Sequence, residues 1–156
     1  MRELINSFGY AFQGIFTAIK KERNMRIHIV CMLYMYFFLF NFDFFEITRT
    51  ELAIIFIANG LVIGAELINT AIESAVDLQG AKYTEYGKIA KDCAAGAVLV
   101  FTIFAVLCGI AIMYQPKAFS LLFAYFIENP LAILLFVLSV IIFTIFIFKG
   151  FGRKKK

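Results

Sequence analysis

The fold of this chain is decided by residues 54–77, which read IIFIANGLVIGAELINTAIESAVD. The segment is long and apolar enough to cross a membrane as a helix. Its second half nevertheless carries four polar side chains, Glu66, Asn69, Glu73 and Asp77. At about 100° per residue, all four lie within a sector of about 80° on one side of the helix. Ionisable groups inside a membrane helix are costly and usually face a protein interior, an aqueous cavity or a chemical site. This stripe predicts where the protein functions.

The alternative interpretation of the stripe is a polar seam that only pairs helices. Packing contacts between membrane helices rarely need three carboxylates on one side, so we favour a functional site. Two neighbouring patterns are interpreted as packing instead. Gly60 and Gly64 form a GxxxG motif, and a run of small residues, 94–97, follows at the start of another apolar segment. Both patterns predict close helix–helix contacts.

Composition assigns the whole chain to the membrane class. Of its 156 residues, 62% are hydrophobic, and the mean hydropathy is +0.86. Soluble domains use about 45–50% apolar residues. We identify no short apolar core with a small-residue cleavage site at the start, so no cleaved signal peptide is expected. Nothing in the sequence predicts nucleic acid as a partner.

Hydropathy predicts an all-α integral membrane protein with four transmembrane helices after an amphipathic surface helix. Residues 1–20 repeat apolar side chains at the spacing of a helix that lies in the headgroup layer. The predicted spans cover residues 27–42, 52–76, 93–114 and 130–148. Residues 118–127 are apolar but short, and we expect them to form an interfacial helix on the outer leaflet.

The distribution of Lys and Arg predicts the orientation of these spans. Basic residues concentrate before the first span, between the second and third, and after the fourth, where the tail reads KGFGRKKK. The other two loops contain only Arg49 and Lys117. Because basic residues mark cytoplasmic loops, both termini are predicted to be cytoplasmic. The second span then brings Glu73 close to the cytoplasmic surface, with Glu66 about ten ångströms deeper.

Several carboxylates beside basic residues at one membrane edge suit a magnesium–phosphate site. Magnesium is typically held by one or two carboxylates together with phosphate oxygens. A further carboxylate can take the proton of an attacking hydroxyl group. The residues alone leave three classes open: a membrane enzyme, a proton- or cation-coupled carrier that uses the carboxylates as a relay, and a purely structural membrane protein.

Three separated motifs occur in order along the chain. They read ERNMRIH (22–28), AELINTAIESAVDLQ (65–79) and AKDCAAGAVLV (90–100). Together they resemble the prokaryotic diacylglycerol kinase/undecaprenol kinase family over about residues 1–115, especially its Gram-positive, undecaprenol-type branch. The resemblance implies a homotrimeric lipid kinase of the bacterial inner membrane that uses MgATP. The expected reaction is ATP-dependent phosphorylation of undecaprenol to undecaprenyl phosphate. Diacylglycerol, which would give phosphatidic acid, is the alternative acceptor.

The resemblance also implies roles for individual residues. The catalytic base falls on Glu66, and the metal-binding carboxylates, which also contact the nucleotide, fall on Glu22 and Glu73. Further nucleotide-binding positions fall on Tyr10, Lys82, Tyr83, Thr84, Lys91 and Asp92. Supporting roles, in orienting phosphate, metal ligands or the lipid, fall on Arg26, Asn69 and Asp77. His28 stands where the enterobacterial branch carries an acid. It is interpreted as a hydrogen-bonding residue at a helix interface, with titration near neutrality as the alternative.

The chain is predicted to have two parts. Residues 1–115 form the membrane lipid kinase domain, and residues 116–156 form an additional transmembrane helix with a basic cytoplasmic tail. We interpret the added part as an anchor whose tail fixes the topology. The alternative is a contact with anionic lipid or with a partner, since each basic residue near such a surface contributes about 1 kcal/mol.

Overall fold

The structure is a computed structural model, and it describes residues 2–78 and 84–150 of the chain. Within these two ranges the backbone forms six α-helices and no β-strand. The helices are α1 (Arg2–Lys21), α2 (Arg23–Asn41), α3 (Arg49–Asp77), α4 (Glu85–Met113), α5 (Pro116–Glu128) and α6 (Pro130–Lys149). The predicted all-α fold is confirmed.

Polar residues decide where the helices begin. Glu22 has an extended backbone and separates α1 from α2. At the start of α3, Thr48 and Glu51 form a capping box, in which each side chain satisfies a backbone N–H of the other. Thr84 accepts a hydrogen bond from the Gly87 N–H and caps α4. Helix α4 therefore starts well before residue 93, because hydropathy detects the apolar part of a helix and not its polar first turns.

Three helices are long and apolar enough to cross a membrane, judged by length and composition within the described residues: α3, α4 and α6. The predicted first span corresponds to α2, which has 19 residues and is about 28 Å long. Its first turns carry Arg23, Asn24, Arg26 and His28, so its composition is less apolar than that of the other three. The predicted interfacial helix corresponds to α5, whose 13 residues are too few to span a bilayer.

Contacts between side chains show that consecutive long helices run antiparallel. Tyr36 accepts a hydrogen bond from Asn59 at 2.9 Å, while His28 lies beside Glu66, so α2 and α3 run in opposite directions. Lys91 and Asp77 join the start of α4 to the end of α3. The end of α1 belongs to the same layer, because Lys21 donates a hydrogen bond to Ser74. One end of the bundle thus gathers the predicted functional residues of α2, α3 and α4.

Helix α6 packs along α2, antiparallel to it. Tyr34 and Ser139 are hydrogen-bonded at 2.9 Å, and the Tyr34 ring makes edge-to-face contacts with Phe136 and Phe143. Because the Ser139 hydroxyl donates to the Phe136 carbonyl, the Tyr34 hydroxyl is the donor in this pair. The added C-terminal helices are therefore attached to the rest of the bundle through α2.

Within residues 2–78 and 84–150, the two glycines of the GxxxG motif in α3 have no close contact with another helix. A Cβ atom built at Gly60 or Gly64 would meet no other heavy atom within 4 Å among the described residues. The same is true of Gly96 in α4. These small residues leave open surface on the helices that carry them.

Candidate active site

Glu66 is the most deeply buried charged side chain in the described part of the protein, with only 1% of its surface exposed. It lies in the middle of α3 and faces α2, where His28 Nε2 is 3.4 Å from Glu66 Oε1. That separation is longer than an ordinary hydrogen bond. Glu66 Oε1 consequently lacks a hydrogen-bond donor within the residues described. A buried carboxylate oxygen without a donor is rare in folded proteins and points to a functional role.

A cavity of about 230 Å³ lies beside Glu66, between α2, α3 and α4. Its polar lining comes from Asn24, His28, Glu66, Asn69 and Thr102, and its apolar lining from Ile27, Ala95, Val98 and Leu99. A second buried atom without a hydrogen-bond partner in the described ranges, Asn69 Oδ1, belongs to a lining residue. The cavity therefore combines apolar wall with two unsatisfied acceptors, which can receive a hydrogen-bond donor of a ligand.

The remaining members of the α3 stripe continue from this cavity toward the end of the helix. Asn69 Nδ2 donates a hydrogen bond to Glu73 Oε1 at 3.2 Å. Partial burial raises the pKa of the Glu22 carboxyl, and the Glu73 carboxylate raises it further. The charge of Glu66 also raises the pKa of Glu22, whereas the charges of Lys21 and Arg26 lower it. Glu22, which precedes α2, is thus close enough to Glu73 and Glu66 for their charges to interact.

Lys91 and Asp77 lie at the open edge of the same layer. Lys91 Nζ donates to Asp77 Oδ1 at 2.7 Å, and both side chains are partly accessible to solvent. An ion pair at an exposed edge adds little stability, but it holds a cation beside the carboxylates. Lys91 is therefore positioned where an anionic group of a ligand can reach it.

Arg26 faces away from the cavity. Its guanidinium donates from Nη1 to the carbonyls of Ile19 and Lys20 at the end of α1, and from Nε to the carbonyl of Ile147 in α6. Only 6% of the residue is exposed. Gly150, with φ +56°, ends α6 against it, and a Cβ at Gly150 would lie 3.2 Å from the guanidinium carbon. Arg26 thus joins α1, α2 and α6, and its predicted role toward phosphate or lipid stays a prediction.

The other predicted nucleotide-binding residues make no side-chain hydrogen bond to the site residues named above, or lie outside the described ranges. Tyr10 is 70% exposed on α1, twelve residues before Glu22. Thr84 caps α4, and Asp92 is exposed in the first turns of that helix. Lys82 and Tyr83 belong to residues 79–83, which lie outside the described ranges. The roles of all five toward nucleotide remain predictions.

Two polar lining residues, Thr102 and Asn24, escaped the sequence analysis. Thr102 carries the only hydroxyl group between residues 93 and 113, and it follows Lys91 by 11 positions. That spacing puts both residues on the same side of a helix, a signal that was available from the sequence. Asn24 lies inside one of the recognised motifs without an assigned role. Nothing local indicated that it lines the cavity beside Glu66.

No group of three or more His, Cys, Asp or Glu residues is arranged to hold a metal ion within residues 2–78 and 84–150. Glu22 and Glu73 form a pair rather than such a group. One or two carboxylates are sufficient for magnesium when phosphate oxygens complete its coordination. The pair is therefore compatible with a metal that arrives together with a nucleotide.

These features define an all-helical membrane protein with a buried carboxylate and a charged layer at one end of its bundle. The family model described as prokaryotic diacylglycerol kinase matches residues 9–113. The chain belongs to this family. The match ends at the C-terminus of α4, so α5 and α6 lie outside it.

Named relatives support the assignment. A diacylglycerol kinase of Synechocystis sp. is 40% identical over 114 residues, which cover 72% of this chain and 63% of that protein. An undecaprenol kinase of Bacillus subtilis is 37% identical over 119 residues, covering 75% of this chain and 92% of the relative. A diacylglycerol kinase of Escherichia coli K12 is 31% identical over 112 residues, which cover 72% of this chain and 89% of that protein. The chain thus spans less than two thirds of the Synechocystis protein but most of the other two.

Family membership confirms several predictions from the sequence. The protein is a multi-pass membrane protein of a lipid kinase family, as the three motifs indicated. An enzyme is therefore favoured over an ion-coupled carrier or a purely structural protein. A kinase family also implies ATP as the co-substrate.

Proposed function

We propose that this protein transfers the γ-phosphoryl group of ATP to a membrane lipid alcohol, with undecaprenol as the acceptor. The observation that carries the proposal is the buried Glu66 carboxylate, which faces a cavity with apolar and polar lining. The charges of Glu22, Glu73 and Glu66 interact, and Lys91 is paired with Asp77 further along α3. A charged nucleotide and a lipid chain can meet at such a boundary. The Bacillus subtilis undecaprenol kinase, aligned over 92% of its length, supports the choice of lipid.

Glu66 is suited to the role of general base. In the proposed reaction the lipid hydroxyl oxygen attacks the γ-phosphorus, its proton passes to Glu66, and the bond from phosphorus to the bridging oxygen of ADP breaks. Glu66 Oε1 is available because no donor in the described residues occupies it. Since the lipid chain stays in the bilayer, the hydroxyl is held near the membrane surface, and positioning contributes much of the rate.

Magnesium is proposed to bind with the nucleotide at Glu22 and Glu73. The fit rests on their proximity, because the Glu73 carboxylate and partial burial both raise the pKa of Glu22. A cation between two such carboxylates would relieve their repulsion. When bound, magnesium neutralises charge on the phosphates of the nucleotide. Asn69 orients Glu73 through the hydrogen bond from its amide group.

The phosphate groups are proposed to contact Lys91 at the open edge of the layer. Asp77 holds Lys91 in position by an ion pair at 2.7 Å. Asp92, Thr84 and Tyr10 are proposed to complete the nucleotide site, together with Lys82 and Tyr83 from outside the described residues. Arg26 supports the layer indirectly, since it fixes the end of α1 next to Glu22.

We propose further that the protein is a homotrimer in the bacterial inner membrane, with both termini in the cytoplasm and active sites shared between subunits. The open surface at Gly60, Gly64 and Gly96 supports self-association, because small residues allow membrane helices to approach closely. The basic residues near the cytoplasmic ends of the spans support the orientation. Cross-linking in membranes would test the trimer, and labelling of single introduced cysteines would test the orientation.

Residues 1–115 are proposed to form the catalytic domain and residues 116–156 an added membrane anchor. The family match ends at residue 113, before α5 and α6, and the alignment with the Bacillus subtilis relative covers 75% of this chain and 92% of that protein. Deletion of residues 116–156 should therefore preserve lipid phosphorylation within a few-fold in membranes. Complete loss of phosphorylation by a folded, membrane-inserted truncated protein would contradict this division.

Diacylglycerol is the second candidate acceptor, favoured by the 40% identity to the Synechocystis diacylglycerol kinase. Purified full-length protein should be incubated with radiolabelled ATP, magnesium and either undecaprenol or diacylglycerol. Label in undecaprenyl phosphate supports the proposal, and label only in phosphatidic acid supports the second candidate. Label in neither lipid would reject lipid phosphorylation.

A further inference from the structure

Lys21 is a basic residue at the charged end of the bundle, and the sequence analysis gave it no role in ligand binding. It ends α1 and directly precedes Glu22, one of the two proposed metal ligands. Its ammonium group donates a hydrogen bond to the Ser74 hydroxyl at 3.2 Å. Ser74 follows Glu73, the second proposed metal ligand. Lys21 is therefore next to one residue of the pair in sequence and contacts the neighbour of the other.

The ammonium group of Lys21 keeps hydrogen-bonding capacity for a ligand. A lysine has three N–H donors, and the contact with Ser74 uses one of them. Within residues 2–78 and 84–150 Lys21 forms no salt bridge, although its charge interacts with those of Glu22 and Asp77. The residue is exposed, so a water-soluble anion can reach it.

Two lysines from different helices approach the end of α3 at neighbouring levels. Lys21 of α1 contacts Ser74, and Lys91 of α4 contacts Asp77, three residues later on α3. Three residues of an α-helix correspond to a rise of about 4.5 Å. Lys21 thus adjoins the level of the metal pair, and Lys91 adjoins the last turn of the helix. A ligand with several linked phosphate groups can contact both.

We propose that Lys21 binds the phosphate groups of the nucleotide together with Lys91, an inference that rests on the proposed function. The site contains four carboxylates, which repel a polyphosphate: Glu22, Glu66, Glu73 and Asp77. Lys91 is already paired with Asp77, so a second lysine supplies positive charge that this ion pair does not. A lysine binds phosphate as a point charge and needs no fixed geometry.

A comparison of two adjacent lysines tests this role. Full-length purified Lys21→Met and Lys20→Met proteins each lose one positive charge from the end of α1, and both residues are exposed. At saturating lipid, we expect Lys21→Met to lower kcat/KM for MgATP about 10–100-fold, because a hydrogen bond to a charged group is lost. Lys20→Met should stay within about twofold, and Lys21→Arg should restore most of the loss. Equal values for Lys21→Met and Lys20→Met would overturn the proposal.

Ser74→Ala separates phosphate binding from a purely structural role of Lys21. The Ser74 hydroxyl donates to the Thr70 carbonyl and accepts from Lys21, so its removal ends the link between α1 and α3 but keeps the lysine charge. We expect kcat/KM for MgATP to fall no more than about threefold in Ser74→Ala. A loss as large as that of Lys21→Met, with both variants shown to keep their oligomeric state, would mean that Lys21 only joins the two helices.

The magnesium requirement separates phosphate binding from simple neutralisation of Glu22. If Lys21 only offsets the charge of Glu22, its removal strengthens the metal site. Lys21→Met would then need less magnesium for half-maximal activity and would keep its kcat/KM for MgATP. That result would also overturn the proposal.

The outcomes distinguish this inference from the function on which it rests. If the unsubstituted protein phosphorylates lipid and Lys21→Met does so equally well, the role of Lys21 is wrong although the lipid kinase assignment stands. If the unsubstituted protein labels no lipid, the proposed function fails. Equilibrium dialysis with radiolabelled MgATP then compares the same variants. Binding at least about tenfold weaker in Lys21→Met than in Lys20→Met would still support the phosphate contact, and equal affinities would reject it.

Discussion

Two cavities adjoin different faces of α2 and differ in how their polar groups are satisfied. The cavity of about 230 Å³ beside Glu66 contains acceptors without partners. The cavity between α2, α5 and α6, of about 760 Å³, is lined mainly by aromatic and aliphatic side chains. Its polar contact between Tyr34 and Ser139 is complete at 2.9 Å. Satisfied polar groups hold helices together, whereas unsatisfied buried groups indicate a place for a ligand.

We interpret the face of α2 toward Glu66 as part of the proposed active site, and the face toward α6 as a helix-packing surface. His28 turns toward Glu66, while Arg26, two residues earlier, uses its guanidinium on backbone carbonyls of α1 and α6. The family match includes the first face and ends before the helices that cover the second. Substitutions on the cavity face should change turnover with little effect on stability. Substitutions on the face of α2 that packs against α6 should lower stability with little effect on turnover.

The largest effect is expected at Glu66. Glu66→Gln keeps the size of the side chain but removes the base, and we expect lipid phosphorylation to fall by about 10²–10⁴-fold. Assembly, measured by size-exclusion chromatography in detergent, should not change. Glu128→Gln, at the exposed end of α5, is the matched control. Turnover near that of the unsubstituted protein would remove Glu66 from the role of base.

A smaller effect is expected for the proposed metal ligands. Glu22→Gln and Glu73→Gln each remove one carboxylate of the pair, so the magnesium concentration for half-maximal activity should rise at least about tenfold. A titration of activity against magnesium at saturating lipid measures this. An unchanged magnesium requirement in both variants would show that the pair does not hold the metal.

Arg26 tests whether the two faces are separate in function. Arg26→Lys keeps the positive charge but cannot reach three carbonyls on two other helices, so the free energy of unfolding should fall by about 1–3 kcal/mol. The KM for ATP should stay within about twofold. Unfolding in mixed micelles and steady-state kinetics provide the two readouts. Unchanged stability with a raised KM for ATP would support the predicted contact with phosphate instead.

The smallest effect is expected between Tyr34 and Ser139. A double-mutant cycle with Tyr34→Phe and Ser139→Ala should give a coupling free energy of about 0.6 kcal/mol, as is usual for hydrogen bonds between membrane helices. Lipid phosphorylation should be the same in all four proteins of the cycle. A clear loss of activity in either single variant would mean that the α6 face takes part in catalysis.

Much of the site was predictable because its signals are local. The stripe on α3 follows from helical periodicity. In the structure Glu66 and Asn69 line the same cavity, and Asn69 is hydrogen-bonded to Glu73 one turn further along the helix. The partner of Glu66 was not predictable, since His28 was interpreted only as a residue at some helix interface. The hydrogen-bond partners of Arg26 could not be predicted from the sequence either. They are backbone carbonyls, which carry no sequence signal at all.

By itself, the sequence determined the membrane class, the approximate limits of α3 and α6, the C-terminal end of α4, and the family. Hydropathy and helical periodicity act over a few turns, and motif spacing is read directly from the chain. Only the tertiary structure decided that α6 packs on α2, that Arg26 serves α1 and α6, and that Asn69 leaves an acceptor facing the cavity. Those outcomes depend on which helices become neighbours and how each is rotated about its axis. Long-range packing sets the choice of neighbouring helices and the rotation of each helix, and no local sequence pattern predicts either.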